Sequence, residues 1–195
     1  GNSNILGPGS YSDLLSYVNA TNSKGNTSRS VTLSVGTAIR TYTIATDPPN
    51  LQVVVDGVTC TTPQTFDWVV GSSHTLKASS PQDGASGDRY VFASWSDGNT
   101  KMVRKLTASL TTTTYAAKFT TQHKLATSVN PSGAGAVSPT GTNLWYKHGH
   151  TLTISAKAIF GYTFSGWSGD LSGKTNPASI TMDKRKNVIA NFVET

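Results

Sequence analysis

The sequence predicts an all-β fold, two tandem small β-modules behind an N-terminal β-hairpin, and three observations carry that prediction. Charged residues make up only 13% of the 195-residue chain, about half the roughly 25% of an average globular domain. Surface polarity must then come from Thr, Ser, Asn and Gly, and Thr is itself a strand former because its branched Cβ suits a pleated, half-buried surface. The 18 Gly and 8 Pro are spread along the chain rather than clustered, which reads as turn punctuation between many short strands. The third observation is an internal repeat at a period of some 70 to 80 residues.

Residues 1–40 form the first element. A strand begins near Leu15, Asn22-Ser23-Lys24-Gly25-Asn26 supplies a turn, and a second strand alternates Val31, Leu33 and Val35. A lone hairpin is marginal in water. It is expected to pack on the first module, to pair with another chain, or to belong to a larger domain. Ser12-Asp13-Leu14-Leu15-Ser16-Tyr17 is the only helix-like stretch and is too short to hold one.

The two modules, expected over 41–121 and 122–195, follow one plan. Each opens on an alternating strand that ends in an acidic or amide residue before proline, Asp47-Pro48 in one and Asn130-Pro131 in the other. Each then has a Gly followed by His-Thr-Leu, at His74-Thr75-Leu76 and at His150-Thr151-Leu152. An aromatic strand leads to a tryptophan and a Gly/Asp turn, Tyr90-Val91-Phe92-Ala93-Ser94-Trp95 against Tyr162-Thr163-Phe164-Ser165-Gly166-Trp167. Both close on a strand ending in Phe, at Phe119 and Phe192. Four landmarks in one order describe a tandem duplication.

Strand alternation puts Tyr162 and Phe164 on one face and sends Trp167 to the other, unless a bulge near Gly166 resets the phase. Tyr90, Phe92 and Trp95 have the same odd offset, so a shared bulge is expected, with Trp95 and Trp167 anchoring the two cores. Modules of this size bury only a little over ~60% of their unfolded surface, so one large aromatic is a large share of their stability.

The formal charge is +6 with a sequence pI near 9.5, which permits acidic partners. The basic residues are scattered, however, and a nucleic-acid binder concentrates them on one face. The one tight group, Lys184-Arg185-Lys186, reads as a solvated hairpin turn, and no nucleic-acid partner is expected. Cys60 is the single cysteine, so no intramolecular disulfide exists and the thiol reads as a lone core or surface group. No apolar run approaches the ~20 residues that span a bilayer as a helix. No leader is visible, so an exported protein would be seen here in processed or excised form.

The search for chemistry yields no catalytic, cofactor-binding or metal-ligating set. His148 and His150, one residue apart, would share a strand face and meet a metal there, but nothing near in sequence completes the ligands. They read as a polar edge strand. Asp83-Gly84-Ala85-Ser86-Gly87-Asp88 and Asp97-Gly98-Asn99 offer oxygens for calcium without the spacing of a binding loop, and Asp-Gly pairs form turns for backbone reasons alone. Ser, His and Asp all occur, but no Gly-x-Ser-x-Gly elbow does. Trp68, Trp145 and Tyr146 are the aromatics least needed for the two cores and are the candidate ligand-binding residues, as a sugar platform.

The run Asn130-Pro131-Ser132-Gly133-Ala134-Gly135, the segment from Gly161 through Trp167 to Asp170, and Ala190-Asn191-Phe192 resemble the divergent InlB B-repeat family. The first module is similar but diverged. A strand running into Asp56-Gly57 replaces its Gly-Ala-Gly turn, and residues 82–88 are inserted before its aromatic strand. The N-terminal hairpin resembles the last two strands of an immunoglobulin-like domain. The resemblance implies an all-β, non-catalytic, extracellular or cell-surface bacterial module. The expected role is structural or adhesive, extending to a subunit of an extracellular filament. Its partners would be other protein chains of a surface assembly or a longer parent protein, without membrane insertion. The alternative is a polysaccharide-binding accessory region of a secreted hydrolase.

Overall fold

A computed structural model describes residues 38–195; the expected N-terminal hairpin and the short helix-like stretch lie outside the described residues. Among the described residues all the regular structure is strand. The first half holds β1 (Ile39–Asp47), β2 (Gln52–Val55), β3 (Val58–Thr61), β4 (Gln64–Val69), β5 (Ser73–Ala78), β6 (Gln82–Asp83), β7 (Asp88–Trp95) and β8 (Val103–Thr107). After β9 (Thr114–Asn130) come β10 (Gly135–Ser138), β11 (Gly141–Lys147), β12 (Thr151–Ala158), β13 (Tyr162–Gly169), β14 (Ala178–Thr181) and β15 (Lys186–Glu194).

β9 organises the molecule. Its 17 residues, roughly 55 Å at ~3.3 Å per residue, close the first half and open the second. Thr114–Lys118 pairs in parallel with β1, and Leu125–Asn130 pairs in parallel with β15. β7 runs antiparallel to its first part and β11 to its second. The strand order β7-β9-β1-β4 is therefore repeated as β13-β15-β9-β11. A smaller antiparallel sheet goes with each set, β3-β2-β5-β8 and β10-β12-β14. The two additions to the first half are legible in sequence. Asp56 and Gly57, both at positive φ, make the tight turn that adds β3, and the 82–88 insertion folds as the β6–β7 hairpin.

Two hydrophobic clusters lie between the layers. The first gathers Tyr42, Ile44, Val53, Leu76, Trp95 and Tyr115 with their neighbours, and the second Leu125, Ile154, Trp167, Met182, Val188 and Phe192 with theirs. Side chains alternate in and out along each strand, and β9 keeps one phase throughout. Tyr115, Ala117 and Phe119 face the first cluster, and Leu125 faces the second, all on odd numbers. Both clusters thus sit against the same face of β9.

The tryptophans reach these clusters by the expected change of phase. Pairing slips between Phe92 and Ser94 in β7, and between Phe164 and Gly166 in β13, so one extra residue in each strand turns the following Trp inward. Gly166 is required there. Its φ is +147°, and a Cβ would lie 3.0 Å from the Gly173 carbonyl oxygen.

One landmark of the repeat is corrected. Gly71 N–H bonds the Ala108 carbonyl as Gly149 N–H bonds that of Met182, and the returning N–H groups of Ala108 and Met182 reach Ser72 and His150. His150 is therefore the counterpart of Ser72, and His74 that of Leu152. The shared His-Thr-Leu string is offset by two residues in space.

Candidate functional site

Where the two clusters meet, the inward phase of β9 carries a polar residue. His123 lies between Phe119 and Leu125 and is 5% exposed. Its backbone pairs with Asp88 at the start of β7 on one edge and with Tyr146 of β11 on the other. Its Nδ1 lies 2.6 Å from Asp88 Oδ1, and its Nε2 lies 2.9 Å from Nδ1 of His148 in the turn after β11. The carboxylate can only accept, so Nδ1 carries the proton and the neutral ring keeps its lone pair on Nε2. A proton on His148 Nδ1 completes the row. An open cavity of about 390 Å³ adjoins it, lined by Thr120, Thr121, Lys147 and His148.

The surroundings lock this row in place. The Lys124 N–H bonds the Gly87 carbonyl at 2.8 Å, and the His148 N–H bonds that of Thr121 at 2.9 Å. Arg89 donates to the Gln122 side chain and lies 4.5 Å from the centre of the Trp145 ring. Arg185 lies across Gly87, where a Cβ would meet its Cδ at 2.5 Å. The 82–88 insertion is what reaches from the first half of the chain to the second.

A second polar row lies on the first half. His74 Nδ1 is 2.7 Å from Asp56 Oδ2, and its Nε2 is 2.7 Å from Ser72 Oγ. The order Asp-His-Ser is that of an acyl-transfer triad, but here the hydroxyl is also engaged by a backbone carbonyl. The Ser72 hydroxyl also faces the Val69 carbonyl at 2.6 Å. Its one proton serves either that carbonyl or His74 Nε2, according to the tautomer of the ring. Asp56 further accepts the Thr75 N–H at 2.7 Å. Burial pushes its carboxyl up, but the bonds from His74 and Thr75 outweigh this and hold it below the ordinary value. The row fixes the β2–β3 turn to β5.

The three candidate aromatics part company. Trp68 is a core residue, 7% exposed and stacked among Tyr42, Phe66 and His74, whose ring centre lies 3.9 Å away. The expectation that it was spare to the core is corrected, because β4 turns its even-numbered Trp68 inward. Trp145 and Tyr146 are half-buried neighbours on β11; Arg89 covers Trp145, and Tyr146 packs on the second cluster and stacks on His150. His148 and His150 are not on one strand face. They flank the turn at Gly149 and diverge, one to His123 and the other to Tyr146.

The cation run also divides. Lys184 is the solvated member, Arg185 reaches the 82–88 hairpin, and Lys186 is buried with its ammonium 2.6 Å from Asp183. Of the acidic turns, Asp88 is taken by His123 and Asp97 by the Arg104 guanidinium at 2.6 and 2.7 Å. Cys60 is half-buried against the first cluster, and burial pushes its thiol up, away from reactivity. Sequence reasoning missed the Asp88–His123–His148 row because its members lie 35 and 25 positions apart. The available signal was a histidine in the inward phase of a strand, between Phe119 and Leu125.

These features define a chain of serial β-layers whose polar rows tie elements together. Residues 125–195 match the family model of the divergent InlB B-repeat domain, so the second module is a repeat of that family. The family is typically non-catalytic and is usually found in bacterial surface or secreted proteins. No curated protein matches the chain in sequence.

Proposed function

We propose that the chain is a non-catalytic structural or adhesive module of a bacterial cell-surface or secreted protein, built from two copies of one repeat, 41–121 and 122–195. The observation that carries this reading is β9. One unbroken strand closes one strand set and opens the next, so the modules are joined by backbone hydrogen bonds rather than by a loop. Serial units sharing a strand build length and transmit load. The first module counts as a diverged copy because its strand order, bulge and Trp surroundings repeat those of the second.

Contact with further protein chains, in an adhesive surface or a filament, is supported by apolar side chains left in solvent. Ile159 is 52%, Phe160 103% and Val193 52% exposed, all on β13–β15 or the turn leading into them. Light scattering across a concentration series, joined to small-angle scattering, tests the proposal. A mass that grows with concentration supports an assembly subunit, and a constant monomer mass supports a passive spacer. Hydrolytic turnover by the purified chain, unchanged through repeated purification, would overturn the non-catalytic reading.

The accessory, polysaccharide-binding reading has one observation in its favour, the half-exposed Trp145 beside Tyr146 on β11. Binding to a glycan panel that is lost on Trp145→Ala would establish it. Absence of binding to every polysaccharide would remove it.

A further inference from the structure

We propose that His123 and His148 form a binding site for a single late first-row divalent cation, of which zinc and copper(II) are the chemically suited members. Two imidazole nitrogens from separate elements already converge there, Nε2 of His123 and Nδ1 of His148, 2.9 Å apart. Two such ligands on a tetrahedral ion at ~2.0–2.1 Å stand about 3.3 Å apart, so the nitrogens need to separate by a few tenths of an ångström and the His148 ring to turn until both lone pairs converge on an ion beside the N–N line. The His148 backbone is held by the Thr121 carbonyl, but its exposed side chain can supply that movement by rotating.

The buried partner is prepared for a metal by its other nitrogen. Asp88 accepts the Nδ1 proton of His123 at 2.6 Å, which fixes the ring and directs the Nε2 lone pair outward. A carboxylate behind a ligating histidine performs this task in metal sites generally. The ion would take the place of the hydrogen bond between the rings, the His148 Nδ1 proton leaving to solvent or to the ring's own Nε2. Its remaining positions open onto the cavity lined by Thr120, Thr121, Lys147 and His148, where water can enter.

The ligand types decide the metal class. Calcium and magnesium take oxygen ligands, whereas imidazole suits zinc and copper, with copper(II) the tighter of the two. Among the described residues no third His, Cys, Asp or Glu completes the set, so the ion is exchangeable rather than built in. It would clip the turn after β11 to the core-facing side of β9, and through Asp88 to the start of β7.

Calorimetric titration with zinc chloride in a non-coordinating buffer at neutral pH is the test. The parent chain is expected to take up one equivalent. His148→Ala, an exposed change that leaves the core intact, is expected to abolish saturable uptake. Asp88→Asn, which loosens the ring without removing a ligand, is expected to weaken it about tenfold or more. His150→Ala is expected to leave it unchanged. With copper(II), electron paramagnetic resonance is expected to show two coupled imidazole nitrogens in the parent and one fewer in His148→Ala. No saturable zinc uptake by the parent into the millimolar range would overturn the proposal, as would uptake by His148→Ala equal to the parent's.

Discussion

The indole N–H of Trp95 donates to the Lys101 carbonyl at 3.0 Å, and that of Trp167 donates to the Thr175 carbonyl at 2.8 Å. Each ring also meets one phenylalanine, which meets a second in turn, in matching geometry. Phe92 tilts against Trp95 and meets Phe119 edge-on at 5.9 Å; Phe164 tilts against Trp167 and meets Phe192 edge-on at 5.8 Å. The Trp thus does two things in each module. It fills the core beneath the closing strand, and it ties down the loop that follows its own strand.

Replacing either Trp by Ala is expected to cost roughly 3–5 kcal/mol, read as a lowered urea midpoint. Trp→Phe separates the two roles. It keeps much of the apolar contact and leaves the loop carbonyl without its donor, at a cost of about 1–3 kcal/mol. Equal losses at the two sites would reflect equal environments, while a negligible loss at Trp95 alone would argue against equivalence.

Gly166→Ala is expected to destabilise the second module by about 1–3 kcal/mol. The backbone stands at φ +147°, and the added Cβ would press on the Gly173 carbonyl. Ser94, the counterpart of Gly166 in the first module, needs no glycine, because the φ values between +20° and +160° in β7 and β13 belong to Gly166 and Gly169. Ser94→Gly is therefore expected to change the urea midpoint far less than Gly166→Ala does.

Much of this architecture was legible because local chemistry fixes it. The Asp56-Gly57 turn and the offset before each Trp both follow from strand period and turn geometry. What escaped was set by pairing across the chain. His74 and His150 share a tripeptide but not a place, since hydrogen bonds with β8 and the Met182 turn, not sequence, decide the register. Trp68 looked spare because its partners Tyr42 and His74 lie in other strands. Lys186 looked solvated because it stands in a run of three cations, and only the fold shows its stem buried and its ammonium held by Asp183. The His123 site required β7, β9 and β11 to be placed together before its members could be seen as neighbours.

Acid is expected to weaken the first module through Asp97. Burial pushes this carboxyl up, but the Arg104 guanidinium and the Asn99 N–H outweigh it and hold it below the usual carboxylate value. A folded-state pKa below the unfolded one means the contribution is complete above the unfolded value, near pH 4. It is lost as the pH falls through the lower folded value. The Asp97 side chain is 38% exposed, so solvent screens the pair and its worth is about 1 kcal/mol or less. Asp97→Asn is expected to lower stability at pH 7 and to flatten the acid limb of the stability–pH curve. The same acid limb in parent and variant would assign it to other carboxylates.

Phe160 gives the sharpest test of whether this chain meets partners end-on. It is fully exposed at the turn between β12 and β13, with Ile159 beside it and the Thr195 N–H bonded to the Gly161 carbonyl at 3.1 Å. A phenylalanine in this position contributes nothing to its own core, so Phe160→Ser is expected to shift folding stability by no more than about 0.5 kcal/mol. Its effect should fall on association, since exposed apolar clusters rimmed by polar residues mark contact surfaces. The weight-average mass of the parent is expected to rise with concentration, and that of Phe160→Ser to stay near the monomer. Superimposable mass curves with an unchanged urea midpoint would remove this tip as a contact and shift attention to the edge strands β3 and β8, where Val58 and Val103 are also exposed.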